Sequence, residues 1–407
     1  MEFIPVILGS DWNVYGVASS IYMEYGVKSR AFGIMKQMYT ENLDYLTVYP
    51  VKKFDTNEVF VKTLLEFAQS KEAKDKKLLL ISCADHYTKL ICESEDILSE
   101  YYLFNYVNND VRLQLENKKE FYQVADKYGF DYPETMIINK DNLDNYKLNF
   151  DFPIICKPND SVEYLYINFE GYKKAYTINS KEELDKILNL IYTNGYTGEM
   201  ILQDFIPGGV ENMYVVNAYV DKNHKVTMTH GARTALDECE PRNIGNYNAL
   251  ISGDYTELTA NVKKFLEDIN YKGYANFDFK YDPRDKKYKV FEINIRQGRS
   301  SMYMAYAGNN FTKYLVEDLI YNKSLQYYDH KNPHLWYLTA KSVLLKYTPE
   351  VLKKDVKNLL SDKNTSSYGF DYYKYKNISR FIVALRRKLS TIRYYKKYMG
   401  WTWKIFE

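Results

Sequence analysis

Two carboxylates and a side-chain amide carry the sharpest chemistry in this sequence. They lie on the stretches YANFDFKY (274–281) and YKVFEINIR (288–296), joined by Asp282-Pro283-Arg284-Asp285-Lys286-Lys287. Pro and Asp in that joint predict a turn. A hairpin centred near residue 285 sets Asp278 opposite Glu292, and Glu292 and Asn294, two residues apart, leave the same face of their strand. Phe277, Phe279, Phe291, Ile293 and Ile295 take the alternate positions, as a half-buried strand requires. Facing carboxylates repel each other. Their pairing makes sense around a divalent cation, and an all-oxygen ligand set favours magnesium or manganese over zinc. The competing reading is an ordinary hairpin with a solvated polar face. Arg296 follows at once and Arg299 three residues later, and guanidinium groups suit a site where phosphoryl charge moves. Lys157 ends the strand PIICK (153–157), where a buried ammonium calls for an anionic partner; Lys118 opens a helix and on its own reads as an exposed side chain.

Other chemistries find little support. The four cysteines (Cys83, Cys92, Cys156, Cys239) lack CxxC spacing and the five histidines are dispersed, which argues against a disulfide framework or a zinc site and for a reducing compartment. No Ser/His/Asp or Cys/His arrangement offers a covalent nucleophile.

The elements that position these residues follow from periodicity. Phe3–Leu8 reads as a buried strand, followed by the loop Gly9-Ser10-Asp11-Trp12-Asn13 and an amphipathic helix from Val14 to Tyr25. Leu78–Cys83 repeats the plan, with the loop Ala84-Asp85-His86-Tyr87 and a helix after it. Strands alternating with helices predict a parallel α/β sheet, whose ligands sit beyond the carboxyl ends of the strands. The 9–16 loop is not GxGxxG; it reads either as a plain turn or as a site for a small carboxylate. Further on, residues 117–133 predict a helix, 180–195 a helix capped by Ser180 with Glu183 three residues later, and Met200–Phe205 a strand running into the hinge Ile206-Pro207-Gly208-Gly209. Strands at 215–220 and 226–228 form a hairpin, and the stretch 229–247 is read as a loop that could bring Arg233 or Arg242 to the site.

The 407 residues suggest two to four domains, and 46% hydrophobic residues supply ample core. The formal net charge of +2 looks bland but is uneven. Residues 371–407 hold ten basic and two acidic side chains, so the first 370 carry a net −6. The sequence shows no signal peptide and no apolar run of ~20 residues that could span a bilayer.

In this order, Lys118, Lys157 in ICKP, QDFIPG (203–208), Asp278, and EIN (292–294) with Arg296 resemble the ATP-grasp carboxylate–amine ligases. The resemblance covers about 111–325 for the ATP-grasp domain, preceded by an α/β domain over 1–110 and followed by an extension over 326–407. The expected fold class is therefore α/β (α+β): an ATP-grasp fold preceded by a small parallel α/β domain, with a helical basic C-terminal extension. Within the family the stretches FIPVILGSDWNVYG, KPNDSVEYLYINFEGYKKA and NMYVVNAYVD are similar to the branch that serves Gram-positive peptidoglycan synthesis. The resemblance implies that Lys118 and Lys157 hold ATP phosphates, Gln203, Asp204, Phe205 and Ile206 line the adenine slot with backbone groups, and Glu211 takes the ribose. It implies that Asp278, Glu292 and Asn294 bind two magnesium ions and that Arg296 stabilises the phosphoryl group in transfer. The acid would be D-aspartate, activated at its β-carboxylate, and the amine the lysine side chain of UDP-MurNAc-pentapeptide. Ser10, Asp11, Arg299 and Ser300, with Arg233 and Arg242 as alternatives, are the candidate substrate contacts. The sequence departs from the family in the loop 158–172, PNDSVEYLYINFEGY, which has one glycine (Gly171) where the family uses several to cover the phosphates. Two alternatives stand beside this reading: an ATP-grasp ligase for another acid or amine, and a non-catalytic ATP-binding protein at the membrane.

Near the C-terminus, Ile378, Phe381, Ile382, Leu385, Leu389 and Ile392 fall at helical spacing, with Arg380, Arg386, Arg387, Lys388 and Arg393 mostly off that stripe and Lys396, Lys397, Trp401 and Trp403 following. Either the stripe packs on the acidic body and the basic residues are solvated, or the helix lies at an anionic membrane surface. The expected location is the cytoplasm, with peripheral contact at the inner face of the plasma membrane under the second reading.

Overall fold

The structure is a computed structural model that describes residues 2–143, 145–159, 161–164, 167–240, 245–370 and 377–402. Arg242 and Trp403 fall outside the described residues. The chain forms two compact units and passes between them four times: residues 1–116, 210–278 and 293–407 make the first, and 117–209 with 279–292 the second.

The first unit opens with a parallel sheet of β1 (Phe3–Leu8), β2 (Ser29–Gly33), β3 (Leu46–Pro50), β4 (Lys77–Ser82) and β5 (Tyr102–Leu103), in the order β3-β2-β1-β4-β5. Every residue of β1 is buried, because it is the central strand, paired with β2 and β4 and covered by helices. The helix Trp12–Tyr25 starts on the Asp11 cap and ends at Gly26 in the left-handed region. It is not amphipathic, as its sequence suggested: all ten residues from Trp12 to Ile21 are buried. Small residues (Gly16, Ala18, Ser19, Ser20) let neighbouring elements close on every side, and Met302 packs where a Gly16 Cβ would stand.

The second unit holds the antiparallel sheet β6 (Thr135–Ile138), β7 (Ile154–Pro158), β8 (Tyr176–Ile178) and β9 (Met200–Asp204), in the order β6-β9-β7-β8. The helix Lys181–Thr193 lays Leu184, Leu188, Ile191 and Tyr192 on it. Ser180 caps that helix at the Glu183 amide, and the Glu183 carboxylate returns to the Asn179 amide.

The remaining strands are β10 (Met213–Val220), β11 (Val226–Asp237), β12 (Tyr247–Ser252), β13 (Gly273–Asp282), β14 (Lys287–Asn294), β15 (Tyr328–His330), β16 (His334–Tyr337) and β17 (Ser366–Tyr368). They form a sheet in the order β14-β13-β10-β11-β12-β16-β17, with β15 beside β11. Residues 229–237 of the stretch read as a loop are therefore strand. β11 runs to Asp237 and pairs with both β10 and β12, so Arg233 is a strand residue. Its sequence shows no alternation of apolar and polar residues, because both of its faces are buried.

In the helix Ile378–Thr402 the apolar stripe does not pack on the body, except at Ile392, which is partly buried against the core. Ile378, Phe381, Ile382, Leu385 and Leu389 are exposed, between 43% and 79%, whereas Arg380, Ala384, Thr391 and Tyr395 are buried. Arg380 is not solvated: its Nη1 donates to the carbonyls of Met38, Tyr39 and Glu41 at 3.2, 2.9 and 3.2 Å. Arg387 pairs with Glu238 at 2.5 Å and donates to Asn248. Tyr395 donates to the Asp237 carbonyl. The packed face combines these partnered polar groups with Ala384 and Tyr395, which join the main core, and with Val383, Ile392 and Met399 against it.

Candidate active site

In the second unit Lys118 and Lys157 lie close enough for their charges to interact. Lys118 is the first residue of the helix Lys118–Lys127, capped by Asn117, and its Nζ lies 3.8 Å from a Glu292 carboxylate oxygen. Lys157 sits on β7 opposite Ile201 of β9. Its partner is not the anion expected for a buried ammonium but an amide: Nζ donates to Gln203 Oε1 at 3.0 Å, and the Phe291 ring lies 5.5 Å away. Burial lowers the Lys157 pKa to about 8, with the Lys118 charge adding to the fall and Glu292 opposing it.

Gln203 is almost fully buried, at 1% exposure, and its amide is used at both ends. Nε2 donates to Tyr122 Oη and Thr135 Oγ1, each at 2.9 Å, while Oε1 receives Lys157. Tyr122 in turn donates to the Phe291 carbonyl at 3.0 Å. This relay fixes which way the Gln203 amide faces, and so holds Lys157 in place. Gln203→Met is expected to raise KM for ATP about tenfold while changing kcat less, because it removes one hydrogen bond to a charged group. Steady-state kinetics against ATP check this; a wild-type KM would show that the relay does not position Lys157. Beyond Gln203, Asp204 pairs with Arg284 at 2.5 Å, and the Ile206 carbonyl accepts from Lys280 at 2.7 Å, with the Lys280 ammonium 5.2 Å from the Phe205 ring.

In the first unit the loops after β1 and β4 meet the segment after β14. Arg296 forms an ion pair with Asp85, Nε to Oδ1 at 2.7 Å and Nη2 to Oδ2 at 2.9 Å. Burial works against the Arg296 charge, yet Asp85, Cys83 and Asp11 raise its pKa overall. Gln297 Nε2 donates to the Ser82 carbonyl at 2.7 Å and Asn13 Nδ2 to the Cys83 carbonyl at 2.9 Å, which ties the three segments together. Asp11 accepts from the Asn13 and Val14 amides; burial raises its pKa, and the Val14 amide, Arg299 and Arg296 restrain the rise. Ser10 and Ser300 are buried nearby in the chain, each at 6% exposure. Thus Asp11, Arg296 and Arg299, chosen from sequence, do come together. Arg233 stands elsewhere on β11, donating to the Glu211 carbonyl at 2.6 Å over the Tyr214 ring. Glu211 lies in the turn Val210–Asn212.

An amide ladder orients Asn294. Asn276 Nδ2 donates to Asn217 Oδ1 and Asn294 Nδ2 to Asn276 Oδ1, both at 3.2 Å. The Asn294 amide nitrogen is thereby taken up, and its Oδ1 lies 3.5 Å from Arg296 Nη2. Gly298 permits the close packing, since a Cβ there would stand 2.9 Å from the Asn276 amide. Asp278 Oδ1 accepts from Tyr247 Oη at 2.5 Å. Among the described residues no three His, Cys, Asp or Glu side chains gather into a metal-binding group. Asp278 and Asn294 belong to the first unit and Glu292 to the second; carboxylate and amide oxygens are donors of the kind magnesium takes, its shell completed by water and substrate phosphate.

Tyr122, Thr135 and Asp85 were not picked out from the sequence. Asp85 was within reach of the rule that parallel sheets bind ligands beyond their carboxyl ends, since it follows β4 as Asp11 follows β1. Tyr122 and Thr135 carry no such signal; only β-pairing brings Thr135 opposite Gln203.

The parallel sheet, the four-stranded antiparallel unit and these two residue groups define an ATP-grasp carboxylate–amine ligase, an ATP-dependent enzyme forming carbon–nitrogen bonds. The family model described as carbamoyl-phosphate synthase L chain, ATP binding domain, matches residues 247–308. The chain is 40% identical over 408 residues to the D-aspartate ligase of Enterococcus faecium (strain Aus0004), covering 98% of this chain and 97% of the relative. It belongs to the ATP-grasp ligases, in the same family as that enzyme. Solved structures share the fold. N5-carboxyaminoimidazole synthetase from Staphylococcus aureus aligns at TM-score 0.57 and 16% identity over 88% of this chain and 87% of that one. L-amino acid ligase from Bacillus licheniformis aligns at TM-score 0.57 and 13% identity over 80% and 75%. The biotin carboxylase domain of 2-oxoglutarate carboxylase from Hydrogenobacter thermophilus, solved with MgADP and bicarbonate, aligns at TM-score 0.59 and 14% identity over 82% and 74%.

Proposed function

We propose that this ligase activates the β-carboxylate of D-aspartate with ATP and joins it to the lysine side-chain amine of UDP-MurNAc-pentapeptide, for the peptidoglycan cross-bridge. The observation that carries this reading is the near full-length 40% identity to a D-aspartate ligase. A carboxylate oxygen attacks the γ-phosphorus of ATP, the bond to the bridging oxygen breaks and ADP leaves. The amine then attacks the acyl phosphate, inorganic phosphate departs and the amine loses a proton.

Lys118 and Lys157 hold ATP phosphates, with Gln203 holding Lys157; the segment from Gln203 to Ile206 lines the adenine slot and Glu211 takes the ribose. Asp278, Glu292 and Asn294 hold magnesium, which when bound neutralises phosphate charge. Arg296, fixed by Asp85, steadies the phosphoryl oxygens in transfer. An amino dicarboxylic acid presents two carboxylates and one ammonium, and Ser10, Asp11, Arg299 and Ser300 offer hydroxyl, anionic and cationic groups of matching kind. Arg233 is the alternative contact. The C-terminal extension is the piece proposed to bring this chemistry to an anionic membrane at the cytoplasmic face.

The test is ADP release with D-aspartate, L-aspartate and other acids, each with the nucleotide pentapeptide, followed by mass analysis of the product. D-Aspartate alone should support turnover and add one aspartyl residue to the lysine. Turnover with a different acid or amine would replace this substrate assignment with another ligase of the same class.

A further inference from the structure

The exposed face of the C-terminal helix is an interaction surface that the ligase chemistry does not use. Ile378 (79% exposed), Phe381 (44%), Ile382 (43%), Leu385 (45%) and Leu389 (58%) line one side of it. The opposite side is fastened to the first unit through Arg380, Ala384, Arg387, Thr391 and Tyr395. Turning the stripe inward would strip the Met38, Tyr39 and Glu41 carbonyls and the Glu238 carboxylate of the donors they now have. A second exposed apolar group lies on the loop that Arg380 clasps: Ile34 (45%), Met35 (59%) and Met38 (41%). Asn377 also donates to the Asn42 carbonyl, so this loop and the start of the helix are held to each other.

The charges on the helix are of one sign, while the clasped loop also carries exposed Glu41 and Asp44. No acidic residue occurs from Ile378 to Thr402. At helical spacing, exposed Arg386, Arg393 and Lys397 border the stripe on one side and half-buried Lys388 on the other, with exposed Lys396 in line with it. Lys36 is exposed on the clasped loop. We infer that this face, Ile34–Met38 together with the Ile378–Leu389 stripe, docks on an anionic lipid surface, its apolar side chains entering the headgroup boundary and its cations meeting the phosphates. The inference rests on the membrane role given to the C-terminal extension and adds which side of it makes contact. Two arguments favour lipid over protein. Interface cores between proteins are depleted in lysine, whereas interfacial helices combine an apolar face with flanking Lys and Arg. A symmetric dimer through this face would set cation against cation. Among the described residues no helix is long and apolar enough to cross a membrane, so contact of this kind would be peripheral.

The test uses the full chain and co-sedimentation with vesicles of phosphatidylcholine alone or with one-quarter phosphatidylglycerol. Wild type should partition onto the anionic vesicles, and less so as salt is raised. The variant Phe381→Ser/Ile382→Ser/Leu385→Ser/Leu389→Ser should bind at least about 100-fold more weakly, while ADP release in solution stays at the wild-type level because these side chains are already exposed. Arg386→Gln/Arg393→Gln/Lys397→Gln should remove the preference for anionic vesicles. If wild type fails to bind anionic vesicles, both the surface and the membrane role fall. If it binds and the serine variant binds equally well, the membrane role stands and this surface is wrong. Dimerisation lost in the serine variant, without vesicle binding, would assign the face to a second copy instead.

Discussion

Glu292→Gln is expected to lower kcat/KM for ADP release at least about 10³-fold, with the fold intact and metal-free nucleotide binding undiminished. The side chain is 44% exposed, so the amide costs little in packing. Its carboxylate has two neighbours in the second unit that report on the change. Lys118 lies 3.8 Å away and loses its anionic companion, which leaves that ammonium freer to meet phosphate. Lys157 has its pKa supported by the same carboxylate, but burial is the main cause of its value near 8, so most of this ammonium stays charged at pH 7 in the variant. The variant should therefore bind ATP in EDTA at least as well as wild type at pH 7, yet gain little from added magnesium. Calorimetric titration of ATP with and without magnesium, beside the ADP assay, separates these effects. A magnesium-stimulated rate close to wild type would remove Glu292 from the metal set.

How much of this was legible in the sequence varies with the kind of interaction. β1, the Asp282–Lys287 turn and the capped helix after Ser180 could be read from period, turn residues and caps, because those signals are local. The meeting of Asp11 with Arg296 and Arg299 could be proposed only from the resemblance, since nearly 300 residues separate them. The Gln203 relay was invisible: QDF reads as an ordinary strand end, and the partners arrive from β6 and from the helix after Asn117. The tail misled for a physical reason. An apolar stripe normally marks the buried face, but Arg380 and Arg387 find three carbonyls and a carboxylate waiting on the body, and these fixed acceptors decide which side packs. Period alone ranks side chains by hydrophobicity and carries no information about acceptors on another element.

Lys157→Met is expected to reduce kcat/KM for ATP by about 10²- to 10³-fold with only a small change in Tm. The two effects have separate origins. A folded-state pKa of about 8, against an ordinary 10.5, means that holding this ammonium costs about 3 kcal/mol in the absence of nucleotide. Below pH 8 both folded and unfolded chains carry the proton and the full cost is present; between pH 8 and 10.5 the folded chain releases it first, so stability rises with pH. Methionine removes that cost but strips the Gln203 carbonyl of its donor, a loss of about 1–3 kcal/mol. The terms nearly cancel, and Tm should shift by a few degrees at most. Binding does not cancel, because triphosphate is the anion this ammonium lacks. The wild-type Kd for ATP should stay flat below pH 8 and rise about tenfold per pH unit above it, as the neutral amine takes over. In Lys157→Met that slope should disappear. Nucleotide titrations from pH 7 to 9.5, with thermal melts at the same pH values, test both halves. A slope that survives in the variant would mean that another group titrates, and a Tm falling by more than about 10 °C would mean that Lys157 holds the sheet together and does not await a ligand.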